Sequence, residues 1–149
     1  VEAKELEGKA AVANARLAYE LFEKKFNEDS RWADLEAKGA RRQRPLWAST
    51  GTKNAAYSDC KYVDELVAKD VVNTMPEKTL DALAAHGNGA PSIEGTYEES
   101  HAVMEKLEEL GISIKDVTDK LESDGVASFI ASWDSVLSDV QAGIDRVNA

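Results

Sequence analysis

Basic residues, cysteine and long apolar runs are all scarce in this chain of 149 residues, and each scarcity removes a class of function. Lys and Arg number 18 against 28 Asp and Glu, leaving a formal net charge of −10. Such a surface repels phosphate backbones and excludes nucleic-acid binding through a general basic face, although one local cation can still hold a small phosphate. The single cysteine, Cys60, has no partner for an internal disulfide. Neither it nor the two histidines, His86 and His101, stands at zinc-ligand spacing. The sequence therefore predicts no metal and no cofactor, and Cys60 reads as a small neutral side chain in a reducing cytosol. No apolar run approaches the roughly 20 residues of a membrane span, so no membrane partner is expected. The opening Val1-Glu2-Ala3-Lys4-Glu5 lacks the basic stretch and apolar core of a signal peptide. It also lacks an initiator Met, which fits a chain that begins inside a longer protein and equally fits tag removal or processing. There is no internal repeat, no low-complexity tract and no suggestion of a Ser-His-Asp or Cys-His arrangement.

What remains is a globular composition, 43% hydrophobic and 31% charged. Leu6, Ala10, Ala13, Leu17, Leu21 and Phe22 recur at helical steps and predict one long helix, ended by Asn27-Glu28-Asp29-Ser30. Ser30 is expected to cap a short helix with Trp32 and Leu35, closed at Gly39. Pro45 to Thr50 reads as a short buried strand with Pro45 at its first position. Tyr62 to Val67 suggests a short helix and Val71 to Met75 a second strand. Pro76 then opens a helix whose apolar face is Leu80, Leu83 and Ala84, closed by His86-Gly87. Residues 88–95 read as a surface loop. Thr96 with Glu99 suits a capping box for a helix to Leu110, with Met104, Leu107 and Leu110 inward. Ile114, Val117 and Leu121 lie on a segment stopped by Asp124-Gly125. A final helix aligns Phe129, Trp133, Val136, Leu137, Val140 and Ile144.

Two strands joined by a helix are expected to be parallel, in a right-handed β-α-β unit. Parallel sheets are stable when covered on both faces and extended by further strands, and nothing else in the chain offers any. The order of elements thus predicts that partner strands lie outside these residues. Chemistry concentrates after the first strand, in Gln43-Arg44-Pro45-Leu46-Trp47-Ala48-Ser49-Thr50-Gly51-Thr52-Lys53-Asn54. Ligands of parallel α/β folds gather at the carboxyl ends of strands. The Ser49 hydroxyl, backbone N–H groups near Gly51 and the Lys53 ammonium suit a phosphate or carboxylate, with a solvated turn as the plainer reading. The spacing is not that of a P-loop. The second strand end, Asn73-Thr74-Met75-Pro76-Glu77, reads first as a helix-capping turn. His86 reads as a cation at a helix C-terminus, and His101 as solvated surface on an acidic helix. Trp32, Trp47 and Trp133 read as core anchors.

The run Arg44-Pro-Leu-Trp-Ala-Ser-Thr-Gly-Thr-Lys-Asn54, followed by Tyr62-Val63, Val72-Asn-Thr-Met-Pro-Glu77 and Thr79-Leu80, resembles the late part of the longer bacterial transaldolases. Gly8-Lys-Ala-Ala-Val-Ala-Asn-Ala-Arg-Leu-Ala-Tyr19 is similar to the preceding family helix. Leu121 to Val126, Phe129 and Ser132-Trp133 are similar to its C-terminal helices, so the resemblance covers nearly the whole chain. It implies an α/β fold class: a helix-rich C-terminal portion, residues 1–149, of a (β/α)8 TIM barrel. That portion carries the last two strands, Leu46 to Ser49 as the seventh and Val71 to Met75 as the eighth.

The resemblance also implies a cytoplasmic enzyme of the pentose phosphate pathway. In it a fourth-strand lysine forms a Schiff base, and a dihydroxyacetone unit passes between sugar phosphates. That lysine, a first-strand aspartate and a third-strand glutamate would precede Val1. No catalytic residue is assigned here, and the chain alone is expected to be inactive. Ser49 matches the serine ending the seventh strand, and Lys53 falls near a basic residue that helps grip substrate phosphate. The family often has Val at Thr52 and Thr at Cys60. The implied partners are sugar phosphates, the N-terminal part of the same barrel and, through exposed strand edges, a second copy. The alternatives are a free-standing acidic helical interaction module, disfavoured by the two lone strands and the Ser49–Lys53 motif, and a related sugar-phosphate aldolase, which the C-terminal helices fit less well.

Overall fold

The apolar positions of the first helix set the layering of the chain. The computed structural model describes residues 2–148; Val1 and Ala149, the expected ends of the barrel portion, lie outside the described residues. Helix α1 (Glu2–Glu5) is separated from α2 (Ala10–Glu23) by a turn at Gly8, whose φ is 76°. One long helix from Leu6 is therefore corrected. Gly8 sits in the left-handed region, and a Cβ there would lie 3.0 Å from the Tyr57 ring. Past Glu23 the helix widens into a π-helical turn, Lys24–Glu28. Arg42 fastens that turn, donating to the Phe26 carbonyl at 2.8 Å and to Asn27 Oδ1 at 2.9 Å. Rings step outward along the same side: Phe22–Phe26 at 5.2 Å and Phe26–Trp32 edge-on at 4.8 Å.

Helix α3 (Ser30–Glu36) is capped by Asp29 rather than Ser30. The Asp29 carboxylate accepts from the Arg31 N–H at 3.0 Å and also pairs with the Arg31 guanidinium. Gly39, at φ 91°, closes the helix as expected, with the Ala40 N–H reaching back to the Leu35 carbonyl.

Strands β1 (Leu46–Ala48) and β2 (Val72–Thr74) form a parallel pair with Leu46 opposite Val72 and Ala48 opposite Thr74. The Val72 N–H donates to the Pro45 carbonyl, so Pro45 sits just before the strand, using its acceptor where it has no donor. Trp47 and Asn73 share one face of the pleat. On that face Trp47 packs against a core of Val12, Tyr19, Leu66 and Ile93. The other face, with Leu46, Ala48 and Thr74, is exposed, Leu46 by 53%. The expected buried strand is thus covered on one face only. The helices reach one side, and among the described residues no third strand extends the sheet.

Between the strands lies α4 (Lys61–Asp64), with Val63 and Leu66 buried. After β2 comes α5 (Glu77–His86), entered from Pro76 at the N-cap position. Its buried residue is Thr79, whereas Leu80 is 53% exposed. The apolar face centred on Leu80 is corrected accordingly, because α5 turns Thr79 toward the strand ends. The loop at 88–95 lies on the surface apart from Ile93, which is fully buried. Reciprocal hydrogen bonds between Ser92 and Val67 hold that loop in place. Helix α6 (Tyr97–Glu109) buries Ser100, Val103 and Leu107. The Thr96 hydroxyl donates to the Ile93 carbonyl at 2.6 Å.

The chain divides into two compact units, Val1–Leu107 and Glu108–Ala149. The second contains α7 (Ile114–Asn148), one helix of 35 residues. Asp124-Gly125 does not stop it, since an interior glycine costs a helix only about 1 kcal/mol. Ser113 receives the Asp116 N–H at its N-terminus, and Lys115–Asp119 and Lys120–Asp124 pair along its length.

Two outcomes check this architecture. Ile93→Ala is expected to destabilise the chain by about 2–5 kcal/mol in urea unfolding, as a buried branched side chain leaves a cavity. The Arg31 side chain holds the Asp29 carboxyl down at about 2, from its ordinary 3.8. A carboxyl depressed in the folded state stabilises fully above its unfolded value and is lost as pH falls. Amide protection in α3, the exchange rate relative to that of the unfolded chain at the same pH, should therefore fall between about pH 4 and 2, and Asp29→Ala should abolish that pH dependence.

Candidate functional site at the strand ends

Both strands of a parallel pair point their carboxyl ends the same way, so the residues following β1 and β2 converge at one rim. Ser49 opens the rim with φ 55°, a left-handed backbone that non-glycine residues seldom adopt and that clusters at functional positions. Thr50, next in sequence, is buried, and its hydroxyl donates to Asn73 Oδ1 at 2.7 Å. On the other strand the Thr74 hydroxyl donates to the Trp47 carbonyl at 3.2 Å. These two side-chain bonds continue the pairing past the short backbone ladder and lock the strand ends together.

Gly51 packs close beneath α5. A Cβ at this position would stand 3.0 Å from Pro76 Cγ and 3.4 Å from Thr79 Oγ1. The following loop is ordered by its own side chains. Asn54 Oδ1 accepts the Ala56 N–H at 2.9 Å, and the Thr52 hydroxyl donates to the Asp59 carbonyl. Lys53 projects from this braced loop. Ser49 and Lys53 are both exposed, and among the described residues neither makes a side-chain hydrogen bond or ion pair. Both therefore follow β1, as the sequence predicts, with polar groups available to a ligand and no bond joining them to each other. Beside β1, a groove of about 240 Å³ is lined by Ala15, Trp47, Ser49, Thr50 and Tyr62 among others.

The structure adds Thr50 and Asn73 as the residues that hold Ser49 in place. Asn73 belongs to the second strand end, read from sequence as a capping turn, and no sequence spacing links it to Thr50. Trp47 is an anchor as expected, its indole N–H donating to the Leu66 carbonyl at 3.0 Å. Trp133, by contrast, is 63% exposed, on a helix α7 that buries no residue; its reading as a core anchor is corrected. His101 is half-exposed, and its Nε2 lies 2.9 Å from Glu20 Oε2 on α2, so it has a carboxylate partner. His86, in the last turn of α5, has its Nε2 2.8 Å from Asp59 Oδ1 and 3.9 Å from Cys60 Sγ. The fold thus gathers three metal-ligating side chains that no local spacing announces.

Comparison with known proteins places these features in context. The family model for transaldolase/fructose-6-phosphate aldolase matches residues 1–140. The chain is 55% identical over 145 residues to a transaldolase of Renibacterium salmoninarum, covering 97% of this chain and 38% of that protein. It is 51% identical over 147 residues to transaldolase 2 of Streptomyces avermitilis, covering 98% of this chain and 39% of the relative. A transaldolase of Mycobacterium marinum is 55% identical over 147 residues, again covering 98% and 39%. The chain therefore spans about two fifths of the length of the curated relatives it matches.

Substitution at the rim separates bracing from binding. Thr50→Val is expected to destabilise the chain by about 1 kcal/mol in denaturant unfolding, the net contribution of one hydrogen bond. Gly51→Ala should destabilise by about 1–3 kcal/mol through overpacking against Pro76.

Proposed function

The chain belongs to the transaldolase/fructose-6-phosphate aldolase family and matches the C-terminal portion of a transaldolase, and from that premise we propose that it supplies the last two strands of a (β/α)8 barrel together with the rim that grips a substrate phosphate. The observation that carries this reading is the parallel β1–β2 pair with Ser49 held left-handed at its carboxyl end. In a closed barrel the exposed face of Leu46, Ala48 and Thr74 becomes the packed interior, and the outer edges of both strands gain neighbours. The remaining strands come from the N-terminal part of the same barrel.

At the rim, the Ser49 hydroxyl and the Lys53 ammonium donate to phosphate oxygens of the sugar. The ammonium adds charge, and the left-handed turn at Ser49 brings backbone N–H groups near Gly51 alongside. Fixing the phosphate positions the ketone at the far end of the sugar for covalent chemistry. That chemistry belongs to a lysine on the fourth strand, outside this chain. Its amine condenses with the ketone, water leaves, and the iminium takes up the electron pair of the breaking C–C bond. A dihydroxyacetone unit is thereby transferred, interconverting sedoheptulose 7-phosphate plus glyceraldehyde 3-phosphate with erythrose 4-phosphate plus fructose 6-phosphate. An aspartate on the first strand and a glutamate on the third manage protons and water. The whole enzyme works in the cytoplasm, and these 149 residues alone do not catalyse the reaction.

Two measurements test the proposal. Borohydride reduction of the isolated chain with fructose 6-phosphate should leave its mass unchanged; a sugar-phosphate adduct on any lysine would refute the assignment of chemistry to the other part of the barrel. In a full-length transaldolase carrying this segment, Ser49→Ala and Lys53→Ala should each raise KM for the phosphorylated sugar about tenfold, the loss of a charge-assisted hydrogen bond. Unchanged KM values for both would remove the rim from the site.

A further inference from the structure

A second constellation lies away from the phosphate rim, where the loop preceding α4 meets the end of α5. Asp59 Oδ1, Cys60 Sγ and His86 Nε2 all fall within 4.8 Å of one another. Sulfur and nitrogen are 3.9 Å apart, and nitrogen and oxygen 2.8 Å apart. A tetrahedral zinc ion with ordinary bond lengths holds sulfur and nitrogen ligands about 3.6 Å apart and nitrogen and oxygen ligands about 3.3 Å apart. The sulfur–nitrogen and nitrogen–oxygen separations are thus within tenths of an ångström of those a zinc ion sets. Asp59 and His86 are each 56% exposed and free to adjust, whereas the Cys60 side chain is fixed by complete burial.

The arrangement does not suit nucleophilic catalysis. A Cys-His-Asp triad needs the carboxylate on one ring nitrogen and the thiol on the other, but here both face the same Nε2. Coordination instead needs the three donor atoms to converge on one point, and these three lie together. A coordinated thiol gives up its proton to the metal's charge. Asp64 lies on α4, the helix that the Cys60 loop leads into, its Oδ1 accepting the Asn88 N–H at 2.9 Å just past the end of α5.

We propose that Asp59, Cys60 and His86 form a three-ligand site for a zinc ion, with the fourth position open to water on the exposed side. Sulfur, imidazole and carboxylate donors in a tetrahedral set select zinc over calcium or magnesium. Binding replaces the thiol proton, which is released to solvent, by a zinc–sulfur bond; the neutral imidazole coordinates through Nε2 and keeps its proton on Nδ1. The ion would tie the loop at Asp59 to the C-terminal end of α5, joining segments 26 residues apart through Cys60 and His86.

Titrating the chelator-treated chain with zinc chloride by calorimetry tests this site. One equivalent should bind, and His86→Ala and Cys60→Ala should each weaken binding more than about 10-fold, the least that disturbing a zinc ligand's support brings. His86 is largely exposed, so His86→Ala retains the fold, and far-ultraviolet circular dichroism verifies this for each variant. Cobalt(II) in place of zinc should give a thiolate-to-metal charge-transfer absorption that disappears in Cys60→Ala. Zinc affinity unchanged in His86→Ala, no measurable binding by the unsubstituted chain, or bound cobalt without the thiolate band would each overturn the proposal. His101→Ala, which alters the other histidine–carboxylate pair, should leave affinity unchanged; a loss there equal to that in His86→Ala would also overturn it.

Discussion

The indole of Trp47 holds this structure in register. Two parallel strands of three residues make too few ladder hydrogen bonds to stand alone, and a parallel pair needs a covering layer. Trp47 provides the connection, its ring packed on the core beneath α2 and its N–H bonded to the Leu66 carbonyl. Segment 65–69 is held in turn by Arg16 through the Glu65 carbonyl and by Tyr19 through the Lys69 carbonyl. Ser92 completes the attachment at Val67. Helix α2, the strand and the loop carrying Ile93 are therefore coupled through one short piece of backbone. The position of the rim residues that follow Ala48 depends on that coupling.

Once β1 is fixed, the rim needs little more. Thr50 binds Asn73 across the strand ends, and Gly51 lets Pro76 approach. Between these two restraints Ser49 is held in a conformation that costs energy unless its neighbours enforce it. Thr50, which braces this turn, is buried and its partner Asn73 half-buried, while Ser49 and Lys53 face outward. This division, rigid support behind and free donors in front, suits the phosphate grip proposed for the turn.

Much of this was legible in the sequence because it depends on local chemistry. A strand within Pro45–Thr50, narrowed to Leu46–Ala48, the Pro76 start of α5 and the Gly39 stop are written in residues whose own backbone preferences act. The structure departs from the sequence pattern where neighbours outweigh a residue's own preference. Gly125 carries the same stop signal as Gly39, but α7 continues through it because helical neighbours on both sides outweigh one glycine. Leu80 fits an apolar stripe by spacing, but the strand ends receive Thr79. Ile93 lies among glycine and proline positions that mark a surface loop, but Ser92 draws it into the core. The Asp59, Cys60 and His86 group was invisible in the sequence because its members meet only after α5 has folded back past α4. That β1 and β2 stand as a lone parallel pair among the described residues was readable from the order of elements alone.

Helix α7 has a colloidal consequence. Its 35 residues extend about 50 Å, and along them Leu121, Val126, Phe129, Trp133, Val140 and Val147 are each more than half exposed. This length of apolar side chain makes the second unit an amphiphile. What opposes attraction between such stripes is the net charge of −10 distributed over the whole chain. That repulsion reaches only about 10 Å at 0.1 M salt and shortens further as salt rises, whereas apolar attraction does not weaken with it. Ionic strength thus becomes the variable that sets whether these molecules stay apart in solution.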